Sequence, residues 1–324
     1  MLIREAEERD LEGIVECHCS DVEKWRGFRD GKVVELSYEE LTPYERCHFN
    51  CGDWLDRDVC KLHLQLLEEK NERAFVAELD GKVVGEAEVC LAEEPFPYGK
   101  YAFLTTLMVH RNFRRRGIGL ALVQHTIQWA QERGYQAYDT IPENDISEAL
   151  YRKAGLKPMQ SFYQLRGDIE SLRWKPVKAF LKELSLRDDP SESLLMVARH
   201  VDPSVHIWKN AFKWELLLKF EGYEGRVRPP VAVQLSAKEL EGIVLLVPAI
   251  YNPLKCFLHL HINPEMAEKI GAIKLLIHKG LELAQQNHFK ILETSVLEKI
   301  LPAFHKVGLH QTQHKDLYIR LKIP

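Results

Sequence analysis

No apolar stretch in this sequence is long enough to cross a bilayer. The most apolar segment, Ile243 to Leu254, is broken by Pro248 and Pro253, so no membrane segment is expected. The opening residues Met1-Leu2-Ile3-Arg4-Glu5-Ala6-Glu7-Glu8 lack the apolar core of a secretory leader, which predicts a cytoplasmic protein. A net positive charge is also absent. A net charge of -4 over 324 residues argues against a polyanion as partner, and no nucleic acid is expected. Two phosphate-binding signatures are missing: there is no Gly-x-Gly-x-x-Gly after the first strand and no Gly-Lys-Ser/Thr loop. Their absence excludes a Rossmann dinucleotide site and a Walker-type nucleotide site.

Cysteine is sparse and unpatterned. The seven cysteines include no repeated Cys-x-x-Cys pair, and an odd count without a small secreted framework suits a reducing compartment. Cys17-His18-Cys19, Cys47-His48, Cys51, Cys60 and His63 crowd the first part of the chain, yet their spacing matches no zinc pattern. His259 and His261 alternate on a predicted strand with no third ligand nearby. No metal is expected.

The length suits two domains. Periodicity in the first half predicts a strand at Leu2 to Ala6, a helix around Leu11 to His18, and a helix capped by Asp56 and running to Glu69. A hairpin follows, from Ala74 to Leu79 and Val83 to Val89 around Asp80-Gly81. Cys90 to Gly99, with Pro95 and Pro97, reads as an ordered loop, Tyr101 to Val109 as a buried strand, and Gln136 to Thr140 as the next one. A helix over Asn144 to Lys153, closed by Gly155, precedes a last strand at Phe162 to Leu165. The layout is mixed α/β.

Its centre is the stretch from Val109 to Gly119, which reads as a strand end, a basic turn holding Gly117 and Gly119, and the start of a helix that ends near Arg133-Gly134. Unpaired N–H groups at the positive end of a helix favour an anion, and Arg111, Arg114, Arg115 and Arg116 add phosphate-matching donors.

Arg114-Arg115-Arg116-Gly117-Ile118-Gly119 matches the pattern Gln/Arg-x-x-Gly-x-Gly/Ala, and Asn144, Ser147, Tyr151, Gly155 and Leu156 follow a second spacing. In this order, separated by a helix and a strand, the two motifs resemble those of the GNAT superfamily of acyl-CoA-dependent N-acetyltransferases. The resemblance covers about the first half of the chain. It implies that acetyl-CoA lies in a V-shaped opening between the fourth and fifth strands of the domain. Leu107, Met108 and Val109 would then hold the acetyl and pantetheine portions, Arg114 to Leu120 (with Gly117, Ile118 and Gly119) the pyrophosphate, and Asn144 with Ser147 the pantetheine arm. Tyr151 would give a proton to the departing thiolate. The acceptor would be a primary amine attacking directly in a ternary complex. Glu86 and Glu88, two apart on a strand, share one face and are candidates for the base, with a solvated face as the other reading. His110 is a further option, and a water relay would need no dedicated base.

In the second half, Ile169 to Asp189 keeps an apolar stripe at helical spacing (Val177, Phe180, Leu181, Leu184) and reads as a packed connector, and Val231 to Val247 reads as a hairpin. Shifting the first half by 153 positions places Leu107 on Leu260, Val109 on Ile262, Tyr151 on Phe304 and Gly155 on Gly308. That register suggests an internal repeat. Arg114, Gly117 and Gly119 then fall on Ala267, Ile270 and Ala272, so the second copy lacks the anion turn and the phenol. The expected architecture is two tandem GNAT-like domains of α+β type, each a mostly antiparallel mixed sheet flanked by helices. The expected boundaries are 1–168, a connector at 169–193, and a degenerate copy at 194–324, in a monomer or homodimer. A non-catalytic acyl-CoA sensor or scaffold is the alternative function.

Overall fold

The computed structural model describes residues 1–323 apart from 31, 51, 70–71, 188, 190–191, 200–201, 219, 221–222, 224–227 and 250–251. The first half runs β1 (Leu2–Glu5), α1 (Leu11–Cys19), β2 (Arg26–Arg29), β3 (Lys32–Glu35), α2 (Pro43–Phe49), α3 (Arg57–Glu69), β4 (Glu72–Leu79), β5 (Lys82–Glu94), β6 (Gly99–Val109), α4 (Ile118–Glu132), β7 (Ala137–Thr140), α5 (Asp145–Lys153) and β8 (Lys157–Asp168). The second runs β9 (Phe180–Glu183), β10 (Leu195–Arg199), α6 (Ser204–Leu217), β11 (Val231–Ala237), β12 (Leu240–Ala249), β13 (Asn252–Ile262), α7 (Ile270–Gln286), β14 (Ile291–Leu297), α8 (Leu301–His305) and β15 (His310–Lys322).

These strands form one 13-stranded sheet in the order β1-β4-β5-β6-β7-β15-β8-β14-β10-β13-β12-β11-β9, and β2 and β3 form a separate ribbon. Pairing is antiparallel except between β6 and β7 and between β13 and β14. The two halves repeat one layout. Gly99–Val109 of β6 recurs as Asn252–Ile262 of β13, and β8 starts at Lys157 where β15 starts at His310, each 153 positions on. Gly155 and Gly308 close the helices before those last strands with φ of 101° and 99°, a region that favours glycine. The last strands are exchanged: β15 lies between β7 and β8, and β8 lies between β15 and β14, so each half completes the other's sheet.

Three expectations change. Residues 90–94 belong to β5 and not to a loop, because Cys90, Ala92 and Glu94 alternate inward and the Glu94 carboxylate accepts from the Tyr101 hydroxyl (2.8 Å) and the Ser204 N–H (2.9 Å). The stripe at 177–184 is not a helix. Phe180–Glu183 is an edge strand whose backbone pairs with the open side of β11, and backbone pairing there outweighs a four-residue helical pattern. The strand expected at 162–165 extends over Lys157–Asp168 because it has a partner on both edges. The cap at Asp56 is present, its Oδ1 accepting from the N–H groups of Asp58 (3.0 Å) and Val59 (3.1 Å).

Helix α4 packs on one face of the first sheet against Phe75, Ala87, Val89 and Leu104, while Ile14, Val15, Cys60 and Val76 form a core on the other. Helix α6 docks on that second side, where Trp214 and Leu217 join Tyr44, Cys47 and Val59. No helix among the described residues is long and apolar enough to cross a membrane.

Candidate active site

The centre of the first half is where β6 leaves β7. Their pairing is confined to Ala102↔Tyr138 and Phe103↔Asp139, and the Thr140 hydroxyl ties β7 to the Leu104 carbonyl at 3.0 Å. A bulge leaves Thr105 out of the register with β5, its hydroxyl donating to the Glu88 carbonyl (3.2 Å), and the edge of β6 from Thr105 to Val109 then runs free of β7. Leu107, Met108 and Val109 are half-buried along that edge.

The edge leads into the basic turn. Arg115 (φ 65°) and Gly117 (φ 84°) are left-handed and turn backbone N–H groups toward one side. A Cβ built on Gly117 meets nothing within 4 Å, so the approach to these groups is open. Helix α4 begins at Ile118, and its first bond to the turn is from the Ala121 N–H to the Gly117 carbonyl (3.0 Å), which leaves the N–H groups of Ile118, Gly119 and Leu120 ahead of the ladder. The residues present therefore fit a phosphate.

Two members of the turn do something other than expected. A Cβ on Gly119 would lie 3.1 Å from Leu150 Cδ1, so this glycine serves helix packing more than ligand approach. The Arg114 guanidinium clamps the strand end, donating to the Val109 carbonyl (2.9 Å) and pairing with Asp21 (2.7 Å). All four arginines of the turn are exposed, and Arg111 and Arg114 pair with Glu23 (3.7 Å) and Asp21. Asn144 caps α5: its Oδ1 accepts from the N–H groups of Ile146 and Ser147 (both 3.0 Å), and Ser147 closes the capping box. Only its Nδ2 group can then donate to a ligand. Tyr151 is buried beside Thr140, below the divergence of β6 and β7, and burial pushes its phenol up to about 12. It stays protonated at neutral pH.

Glu86 and Glu88 are both fully buried, which removes the solvated-face reading. They face the α1–α3 side of the sheet. Glu86 Oε2 lies 2.5 Å from His18 Nε2, and its Oε1 accepts no hydrogen bond among the described residues. Burial first, and then the Glu88 charge, push the Glu86 carboxyl up to about 7. Glu88 accepts from Trp54 Nε1 (2.7 Å), lies 2.9 Å from His63 Nε2, and takes a longer bond from the Thr106 hydroxyl (3.3 Å). Burial alone would raise its pKa, but the His63 ring, by charge and by hydrogen bond, then the Lys209 charge and the Trp54 hydrogen bond hold it below the ordinary range. Two adjacent carboxylates with opposed shifts can divide labour, one a fixed charge and the other a proton acceptor near neutral pH.

His110 caps the turn after β6, its Nδ1 accepting from the Asn112 N–H at 3.2 Å. His18 and His63 stand out in the sequence only among the cysteines, and Trp54 and Asp53 do not stand out at all. The one local signal is Lys209 and Lys213, a helical turn apart inside an apolar run. Of the groups that could hold a metal, only Glu72, Cys90 and His206 converge among the described residues, and the Lys209 ammonium is ion-paired with Glu72 there.

In the second half the corresponding opening is filled. Strand β10 pairs with β13 at Leu195↔Ile262 and Ala198↔Leu260 and with β14 at Ala198↔Val296 and Arg199↔Ser295. Leu260 and Ile262 are the counterparts of Leu107 and Val109, so backbone that is free in one half is bonded in the other. No positive φ occurs between Pro264 and Ala272.

A parallel strand pair present in two copies, one of them splayed open and leading into an anion-cradling helix start, defines the class: a tandem GNAT-like α/β fold. Residues 34–156 match the Acetyltransferase (GNAT) family. That stretch of the chain is similar to the GNAT acetyltransferases. Human N-acetyltransferase 8 is 33% identical over 109 residues, covering 33% of this chain and 48% of that protein. The probable N-acetyltransferase camello of Xenopus tropicalis is 28% identical over 116 residues, 35% of this chain and 52% of its own. The chain thus spans about half the length of the curated relatives it matches. Among solved structures, a GCN5-related N-acetyltransferase from Anabaena variabilis aligns over 98% of this chain and 72% of its own at a TM-score of 0.60 and 12% identity. A tandem GNAT protein from the clavulanic acid biosynthesis pathway aligns over 99% and 98% at a TM-score of 0.51 and 15% identity. These structural likenesses support the fold.

Proposed function

We propose that the N-terminal half is an N-acetyltransferase that binds acetyl-CoA and passes its acetyl group to a primary amine by direct attack. The observation that carries this reading is the free edge of β6 from Thr105 to Val109, which ends in the left-handed turn at Arg115 and Gly117. Backbone groups of Leu107, Met108 and Val109 would hold the thioester arm, and the N–H groups of 115–120 the pyrophosphate, with Arg115 and Arg116 adding charge. Asn144 would donate to the arm through Nδ2.

Glu86 is the base in this reading. Its unpartnered Oε1 takes one proton from the attacking amine, and Tyr151 donates to the sulfur that leaves as a thiol, so one proton is removed and one is delivered. We place the domain at 1–168, the connector at 169–193 and the second copy at 194–324, with the exchanged strands crossing that division. Titration calorimetry with acetyl-CoA, paired with a thiol-release assay over an amine panel, tests the reading. Binding with release on at least one amine is expected. Binding without release on any amine would favour a sensor or scaffold.

A further inference from the structure

Helix α6 of the second half reaches the carboxylate pair of the first. Lys213, on that helix and buried, is ion-paired with Asp53, and its Nζ lies 3.2 Å from His63 Nδ1. An ammonium has protons and no lone pair, so Nδ1 can only accept from it. The proton of a neutral His63 must then sit on Nε2, the nitrogen 2.9 Å from Glu88 Oε1. Held in that tautomer, His63 donates to Glu88, and Trp54 Nε1 donates to the same oxygen at 2.7 Å. Glu88 is thereby satisfied as an acceptor and kept charged. A second charge beside it on the same strand face is disfavoured, so the shared proton rests on Glu86, whose Oε1 has no donor among the described residues.

We propose that Lys213 is a positioning residue for the N-terminal site: from the second half it fixes the tautomer of His63, which holds Glu88 as a charged acceptor and leaves Glu86 as the carboxylate that exchanges the proton. This rests on the acyl-transfer reading for its purpose, though not for its geometry. It assigns the closed second half a role in the chemistry of the open one. The groups facing the relay are few. Glu86 meets His18 and Cys17 from α1 and Cys60 from α3. Glu88 meets Trp54, His63, Thr106 and the more distant Lys209. His63 meets Asp53, Lys209 and Lys213, and Asp53 also faces His48. Burial keeps the His63 ring below its ordinary value, and Lys213 acts in the same direction. Without Lys213, His63 would either charge between Asp53 and Glu88 or turn its proton toward Asp53, 3.9 Å from Nδ1. The first sets a positive charge beside Glu88 and the second requires Glu88 to hold a proton to donate to Nε2, and both lower the midpoint of Glu86.

The test is nuclear magnetic resonance on the full chain, with ring ¹⁵N signals of histidine and carboxyl ¹³C signals of glutamate, in wild type, Lys213→Met and Lys213→Arg. We expect neutral His63 with its proton on Nε2 in wild type. In Lys213→Met we expect a changed His63 state and a Glu86 midpoint lower by about one unit or more. Lys213→Arg, which retains the cation, should restore both. A wild-type His63 that is charged or carries its proton on Nδ1 overturns the proposal, as does an unmoved Glu86 midpoint in Lys213→Met. The wild-type spectrum alone can decide against it even if the Met variant does not fold. Thiol release is read separately: its absence on every amine with the expected spectra would sink the acyl-transfer reading and leave the relay standing.

Discussion

Where the first half carries Glu86 and Glu88, opposite Met108 and Thr106, the second carries Ile243 and Leu245, opposite His261 and His259. Where the first has a left-handed Gly117, the second has Ile270, the first residue of α7. Tyr151 is matched by Phe304, also buried, and the open edge of β6 by the strand β10 bonded along β13. Each difference takes away a group that the proposed reaction uses while keeping the volume that packing needs: aliphatic for carboxylate, phenyl for phenol, a strand for a slot. The second half has the fold without the proposed site. What it retained is surface turned toward its neighbour, above all α6 with Lys209 and Lys213 buried against Glu72 and Asp53.

The comparison can be broken one residue at a time. Glu86→Gln, which removes the base as Ile243 does, should lower turnover by about a hundred- to ten-thousand-fold in the thiol-release assay with acetyl-CoA affinity unchanged. A variant as active as wild type would return the base to water or His110. Gly117→Ile imports the residue of the second half into a left-handed position, at about 1–3 kcal/mol of strain. Calorimetry should show acetyl-CoA affinity falling by roughly ten- to a hundred-fold, and an unchanged affinity would remove the cradle from the binding site. Tyr151→Phe should lower turnover more than acetyl-CoA affinity; equal losses in both would count against the donor role.

The pH dependence is a gentler test. Glu86 must be unprotonated to act, and its carboxyl is raised to about 7, so kcat should fall as pH drops below about 7, with one ionisation. An acid limb centred near 4 would mean that an ordinary carboxylate is at work. The smallest effect is expected from Ile270→Gly in the second half. Restoring that glycine should produce no second acetyl-CoA site by calorimetry, since β10 still bonds the edge of β13. A second equivalent of bound acetyl-CoA would show that β10 can be displaced.

Much of this was legible in the sequence where the causes are local. The turn from Arg114 to Gly119, the cap at Asp56 and the glycines at 155 and 308 are each written within a few residues of where they act. The offset of 153 positions was readable because β6 and β13 have the same length and the distance from each to the start of the following last strand, β8 or β15, is unchanged. Helix α6 was not, since residues 206–209 and 211–214 are all buried and leave no polar face to mark a period. Strand β10 is only five residues long, too short for periodicity to declare it or to reveal its two partners. The Glu88–His63–Lys213 relay draws on β5, α3 and α6, and no spacing rule joins residues that only the tertiary fold brings together.

The exchange of β8 and β15 sets an order of events for a chain being made. The Tyr318 hydroxyl bonds to Asp139 across a separation of 179 residues, and Arg320 reaches the same carboxylate. Contacts so distant along the chain close late. While the ribosome is still working, the first half has its helices and its leading strands but an open gap beside β7, with two unpaired edges exposed. Synthesis must pass through β15 before that gap can be shut, so a chain cut before His310 would carry every residue of the candidate acyl site and no finished sheet to hold them.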